Sequence, residues 1–136
     1  MNARVTTKSA SVTTPCTTLI VDDDPDIRFL VSTMIEVAND GLAVAGEVGN
    51  ATAAVGAWRE HRPDIVLLDY RMPGRNGIEI ATEILTEDPS QHILLFSAYF
   101  DDEIIAEAAR IGVRECVSKD DAMALPTILR RYCSAN

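Results

Sequence analysis

No apolar run in the chain approaches the ~18 residues that crossing a membrane requires. Residues 1–16 have no apolar centre, so they are not a secretory signal. Cysteine is scarce and scattered: Cys16, Cys116 and Cys133 form no Cys-x-x-Cys pair, and His61 and His92 are not spaced like a zinc site. The cysteines read as reduced thiols in a cytosolic protein. With only 7 Gly and 6 Pro the composition is neither fibrous nor disordered. Positive charge is in deficit as well. Twelve basic residues face 21 acidic ones, a net charge of −9. Arg4 and Lys8 fall in an acid-free stretch over 1–21, so residues 22–136 combine 10 bases with 21 acids and carry −11. A body of that charge does not bind nucleic acid or an anionic membrane through bulk electrostatics, and suits cations or basic partner surfaces.

What remains is a single globular domain of 136 residues, 47% of them apolar. That length buries roughly two-thirds of the unfolded surface, enough to fold without disulfide or metal. Residues 1–16, rich in Ser and Thr with a faint transit-peptide flavour, read as a disordered tail, and 17–133 as the domain. From Thr18 onward strand and helix signals alternate. Thr18 to Val21 is a short apolar run that stops at Asp22, Asp23 and Asp24. Asp24 is a ready N-cap and Pro25 suits a first helical turn. That helix is expected to reach about Asn39 and close at Asp40-Gly41. Leu42 to Val48 reads as a strand, and Asn50 caps a helix through His61 ended by Pro63. Ile65 to Leu68 is a third strand, stopping at Asp69. A Pro73 to Gly77 loop precedes a helix to about Asp88. Ile93 to Phe96 ends in Ser97, Asp101 or Asp102 caps a helix closed by Gly112, and Val113 to Ser118 ends in Lys119. A last helix reaches about Tyr132, with Pro126 near its first turn.

Five strands separated by helices imply βαβ units and a five-stranded parallel sheet with helices on both faces. Ligands of such sheets bind beyond the carboxyl ends of the strands. The residues at those ends are Asp22, Asp23, Asp24, Asp69, Ser97 and Lys119. Three or more carboxylates on one rim repel one another unless a cation sits among them. Magnesium is the natural choice, with manganese an alternative: it takes oxygen ligands, using one or two carboxylates and a phosphate. A carboxylate can also act as nucleophile toward a phosphoryl donor, with the metal, a Lys and a hydroxyl compensating the charge. Lys119 is the sole Lys of the body.

These pieces resemble the receiver domain of two-component response regulators. The resemblance rests on Leu19 to Arg28, Pro63 to Gly77, Leu94 to Ala98 and Cys116 to Asp120, and spans nearly the whole chain. It implies a flavodoxin-like (βα)5 fold with strand order 2-1-3-4-5. By position, Asp69 matches the phosphoaccepting aspartate, and Asp22 and Asp23 the acidic pair that holds magnesium, Asp23 directly. Arg71 matches the residue whose backbone carbonyl is the third protein ligand. Ser97 and Lys119 match the hydroxyl and ammonium that meet the phosphoryl group, and Met72-Pro73-Gly74 with Gly77 match the loop that shapes the site.

Two departures stand out. Cys116 occupies the position usually held by Tyr or Phe, so the family's aromatic switch is absent there; Tyr99 and Phe100 are the candidate replacements. Asp120 stands where Pro usually follows the lysine, and a cis bond at a non-proline residue costs ~3–4 kcal/mol.

Each residue also has a plainer reading. The Asp22 to Asp24 run suits a solvated helix start, Asp69 a turn, Ser97 a strand-end hydroxyl and Lys119 a surface charge. Cys116 reads as a small buried residue, Trp58 as packing and His92 as a surface residue before a strand. Their joint register at the strand ends favours the site. The first helix carries Ile27, Phe29, Leu30, Val31, Met34, Ile35 and Val37, more apolar residues than one ~100° stripe holds. The surplus reads either as deeper burial or as a docking face, which the resemblance assigns to a histidine kinase or phosphotransfer protein.

The resemblance therefore implies a phosphorylation switch that assists its own phosphorylation and dephosphorylation without being a turnover enzyme. A cytoplasmic location, a target or output domain meeting the Asp101 to Lys119 face, and a possible homodimer go with it, as does either a stand-alone receiver or the front of a longer transcription regulator. Arg71 and Tyr99 occupy the two positions that tune hydrolysis in the family. Two rivals remain: a phosphohydrolase resembling the haloacid dehalogenase superfamily, which would use Asp22 and Asp24 but leave Asp69 idle, and a receiver-like binding module that is never phosphorylated. Magnesium-dependent quenching of Trp58 or tyrosine fluorescence separates the last from a true receiver.

Overall fold

The unbroken apolar runs become strands of a sheet that helices cover on both faces, which is why they show no polar alternation. The computed structural model describes residues 14–133, so the expected disordered tail lies almost wholly outside the described residues. Cys16, assigned to that tail, is instead the first residue of strand β1, Cys16–Val21. Helix α1 (Pro25–Ala38) follows, then β2 (Leu42–Val48), α2 (Ala51–His61), β3 (Ile65–Leu68), α3 (Gly77–Glu87), β4 (His92–Ser97), α4 (Asp102–Ile111) and β5 (Glu115–Ser118). The last helix has Pro126 in its first turn, as the sequence indicated, and a 3-10 helix precedes it. That 3-10 helix, over Lys119–Ala124 and non-helical at Asp121, leads into the short α5, Leu125–Arg130.

The caps follow the sequence signals. Asp24 accepts from the Asp26 amide at 2.9 Å, Asn50 from Ala53 at 2.9 Å and Asp101 from Ile104 at 2.8 Å. Asn76 and Glu79 form a reciprocal capping box at the start of α3. Strand order is β2-β1-β3-β4-β5, all parallel. Successive residues feed opposite cores. Leu19, Val21, Val66, Leu68, Ile93 and Leu95 pack with α2, α3 and α4. Ile20, Ile65, Leu67, Leu94 and Phe96 pack with Val31 and Ile35 of α1 and Leu125 and Leu129 of α5. The chain therefore reverses its direction of travel between β1 and β3, where a crevice opens at their carboxyl ends.

The reading of all cysteines as reduced thiols is overturned. Cys16 and Cys133 are joined in a disulfide, with Cα atoms 5.7 Å apart. A separation of 117 residues hides the proximity that α5 creates by packing on the β1 face. Cys116 is free and half-buried, less enclosed than the sequence suggested. Burial, with Glu115 beside it, pushes its thiol pKa up, opposite to a reactive thiolate. Among the described residues no helix is long and apolar enough to cross a membrane.

Candidate functional site

Asp22 and Asp69 come together because β1 and β3 are neighbours in register. Val21 pairs with Leu68, and the Asp69 amide donates to the Val21 carbonyl at 2.9 Å. Each aspartate is thus the first residue beyond its strand, on the same rim. Both are buried, at 2% and 4% exposure, while Asp23 is exposed. One carboxylate oxygen from each of Asp22, Asp23 and Asp69 can be chosen so that all three lie within 4.8 Å of one another.

Lys119 reaches this cluster from β5, two strands away from β3. Its Nζ lies 2.9 Å from Asp22 Oδ2 and 3.5 Å from Asp69 Oδ2. The ammonium lies over the Phe96 ring, 5.9 Å from its centroid. Burial works to lower the pKa of this ammonium, but the two carboxylates outweigh it and hold it above its ordinary value. Asp69 is driven the other way from a usual carboxylate. Burial first, and then the Asp22 charge, push it up to about 6, against the pull of Lys119 and of the Arg71 amide. One ammonium among three carboxylates leaves the cluster short of positive charge. Asp22 Oδ2 is buried and accepts no hydrogen bond of good angle, although Lys119 stands near it. A hard divalent cation with a preference for oxygen ligands fits this donor set.

The loop after β3 is held by close backbone approach. The Arg71 amide donates to Asp69 Oδ1 at 3.3 Å, and the Gly77 amide to the Tyr70 carbonyl at 2.8 Å. A Cβ at Gly77 would stand 2.6 Å from the Asp69 carbonyl oxygen, so this position requires glycine. Ser97 ends β4, buried at 2% exposure and in register with Ser118. A groove of about 500 Å3 runs beside the site, lined by Tyr70, Arg71, Glu79, Asp101 and Glu103 among others. A second cleft of similar size lies at the opposite rim, lined by Trp58, Arg59, Pro63 and Gln91, away from the carboxylates.

Residues 18–130 match the family model of the response regulator receiver domain. The chain belongs to that family. This receiver is 38% identical over 101 residues to the chemotaxis protein CheY of Thermotoga maritima, covering 74% of this chain and 82% of that protein. It is 33% identical to the nitrate/nitrite response regulator protein NarL of Escherichia coli, over 78% of this chain and 49% of that protein. A two-component response regulator of the LuxR family from Aurantimonas superposes with a TM-score of 0.76 at 30% identity, covering 87% of both chains. Receivers thus occur in relatives of nearly this chain's span and as one part of longer regulators.

The remaining expected residues fall as follows. Tyr99 is 58% exposed, whereas Phe100 packs against the core cluster that also touches Cys116. No peptide bond among the described residues is cis, the Lys119–Asp120 bond included. Instead the Ser118 hydroxyl accepts from the Asp120 amide at 3.1 Å and caps the 3-10 helix. Trp58 is a packing residue, 8% exposed, with its indole donating to Gln91 Oε1 at 2.8 Å. It belongs to the opposite rim, so tyrosine and not Trp58 is the suitable reporter of cation binding. His92 opens β4 half-buried, its ring 5.5 Å from that of Tyr132. Three features escaped sequence reading: the disulfide, the Trp58–Gln91 bond, and the Arg28 guanidinium, which donates to the Asp22 carbonyl at 2.6 Å. Arg28 is a single Arg on the second turn of α1, and nothing in its spacing signals a reach back over the preceding turn.

Proposed function

We propose that Asp69 accepts a phosphoryl group, that Asp22, Asp23, Asp69 and the Arg71 carbonyl hold magnesium or manganese, and that Ser97 and Lys119 receive the phosphoryl oxygens. The observation that carries this reading is the buried Asp69 carboxylate with Lys119 Nζ 3.5 Å away and two further carboxylates within ligand reach. Bound there, a divalent cation would supply charge neutralisation for the incoming phosphoryl group. The chain's own residues do the rest. The Arg71 amide and the Asp69–Val21 backbone bond orient the nucleophilic carboxylate. An oxygen of Asp69 attacks the phosphorus of a phosphohistidine, the bond from phosphorus to the histidine nitrogen breaks, and the electron pair leaves with the imidazole. Lys119, released from part of its pairing with Asp22, follows the new negative charge. Ser97 donates to it from the end of β4 and draws that strand end with it.

The donor, a histidine kinase or a histidine phosphotransfer protein, docks on α1. Phe29, Leu30 and Val37 of this helix are 71%, 40% and 78% exposed, which supports docking over the deeper burial that was the alternative. A downstream protein or output domain reads the face from Asp101 to Lys119, and a homodimer would form through α4, β5 and α5. The domain itself makes no direct nucleic-acid contact, in keeping with −11 over residues 22–136. It acts as a switch and not as a turnover enzyme. A cytoplasmic place of action fits a partner of this class; there glutathione and thioredoxin decide whether the Cys16–Cys133 bond persists. The test is the intact mass after incubation with acetyl phosphate and magnesium, beside Asp69→Ala. Gain of one phosphoryl group by the wild type alone is expected. No gain, with magnesium still bound, points to a donor-restricted receiver or to the module that is never phosphorylated; no magnesium binding at all undoes the site reading.

A further inference from the structure

We infer that Arg28 is a positioning residue for the cation-facing carboxylates, acting through the backbone of Asp22. The inference rests on the metal-site reading above. Asp22 and Asp23 sit in the turn between β1 and α1, whose backbone must not move if the carboxylates are to converge on Asp69. Several ties hold Asp22. Its amide donates to the Val48 carbonyl of β2 at 3.0 Å. Its Oδ1 accepts from the Asp24 amide at 2.9 Å. Its carbonyl accepts from Arg28 Nη1 at 2.6 Å; Lys119 holds the Asp22 carboxylate, whereas Arg28 holds its backbone.

The guanidinium is itself built into place. Its Nε lies 3.6 Å from Glu47 Oε1 on β2, and it fills the space over Gly49, where a Cβ would meet Nη1 at 2.8 Å. The Arg28 side chain is 21% exposed, so it is neither a free surface charge nor a counter-charge for the cluster. It bonds a carbonyl and pairs with Glu47 instead of with Asp22 or Asp23. The cluster therefore gains rigidity without surrendering the negative charge that attracts a cation. A single bidentate-capable side chain, wedged between α1 and β2, is suited to this because a guanidinium can serve both partners at once.

The test is titration of the full chain with magnesium chloride, followed by the backbone amide signals of residues 22–24 and 69–71, with thermal unfolding in parallel. Arg28→Ala is expected to raise the magnesium Kd roughly five- to tenfold, and Arg28→Lys to recover part of the loss. Gly49→Ala, whose Cβ displaces the guanidinium, is expected to raise the Kd in the same direction. The double variant should then be no weaker than Arg28→Ala alone, because both act on one contact. A folded Arg28→Ala protein with wild-type Kd, or a Gly49→Ala effect that adds fully to it, would overturn the inference while leaving the metal site standing. A wild type whose signals do not respond to magnesium would overturn the site reading itself, and the role of Arg28 with it.

Discussion

Replacing Asp69 with Asn should stabilise the metal-free protein, and the gain should fade as pH falls. Burial and the Asp22 charge raise Asp69 from 3.8 to about 6. The folded state thus binds this proton more tightly than the unfolded chain does. Ionising Asp69 costs stability, fully above about pH 6, and the cost is relieved as pH falls from 6 toward 3.8. The rise from 3.8 to about 6 corresponds to roughly 3 kcal/mol. Screening at the open rim beside exposed Asp23 reduces this to about 1–3 kcal/mol. The attraction of Lys119 is already inside the balance, because it is among the causes that set the raised value. Urea unfolding in EDTA should therefore show Asp69→Asn more stable by about 1–3 kcal/mol at pH 7.5, by about half that at pH 5, and by little near pH 4. Titrating groups away from Asp69, Asp22 and Lys119 are common to both proteins and cancel in the difference. Saturating magnesium should narrow or reverse the gap, since a cation that binds only the folded state stabilises the wild type more. A variant less stable than wild type at pH 7.5, or a gap that stays constant from pH 7.5 to 4, would refute the electrostatic reasoning.

Reducing the Cys16–Cys133 bond, or Cys16→Ser with Cys133→Ser, should lower unfolding free energy by about 2–5 kcal/mol, because the bond closes a 117-residue separation; an unchanged urea midpoint after reduction would remove any structural role. Gly77→Ala should cost about 1–3 kcal/mol through the forced contact with the Asp69 carbonyl, and should also slow phosphoryl uptake from acetyl phosphate; wild-type uptake in a folded variant would show that the loop does not position Asp69. If the bulky Arg71 and Tyr99 side chains screen the proposed acyl phosphate from water, Arg71→Ala and Tyr99→Ala should shorten the lifetime of the phosphorylated protein, followed by intact mass. An unchanged lifetime in both would defeat that reading.

The fold was legible because its signals are local. Asp24-Pro25, Asn50, Asp101 and Gly112 announce helix ends by their own chemistry, and short apolar runs bounded by turn residues, such as Ile65 to Leu68, signal doubly covered strands. The site was legible because each strand end is also a sequence landmark. What stayed hidden depends on contacts between distant elements. Nothing near Cys16 or Cys133 says that α5 lies over β1. His92 and Gln91 are adjacent in sequence, yet one faces Tyr132 and the other holds Trp58. Pro126 marked the first turn of the last helix, but the 3-10 helix before it, with its break at Asp121, carries no comparable signal in the sequence.

The acidic excess and the single body lysine gain meaning together once the rim is built. Lys119 stands 2.9 Å from Asp22 and 3.5 Å from Asp69, so without a cation it is shared between two carboxylates and satisfies neither fully. A lysine committed to one strong partner would have to lose that partner before it could serve a phosphoryl group. A shared lysine need only shift its balance toward Asp69. Burial and the incompletely compensated Asp22 charge, which raise Asp69 to about 6, are what the proposed cation and phosphoryl group would act upon. Stability is given up at this rim in the resting state, and it is the Asp69→Asn comparison across pH that measures how much.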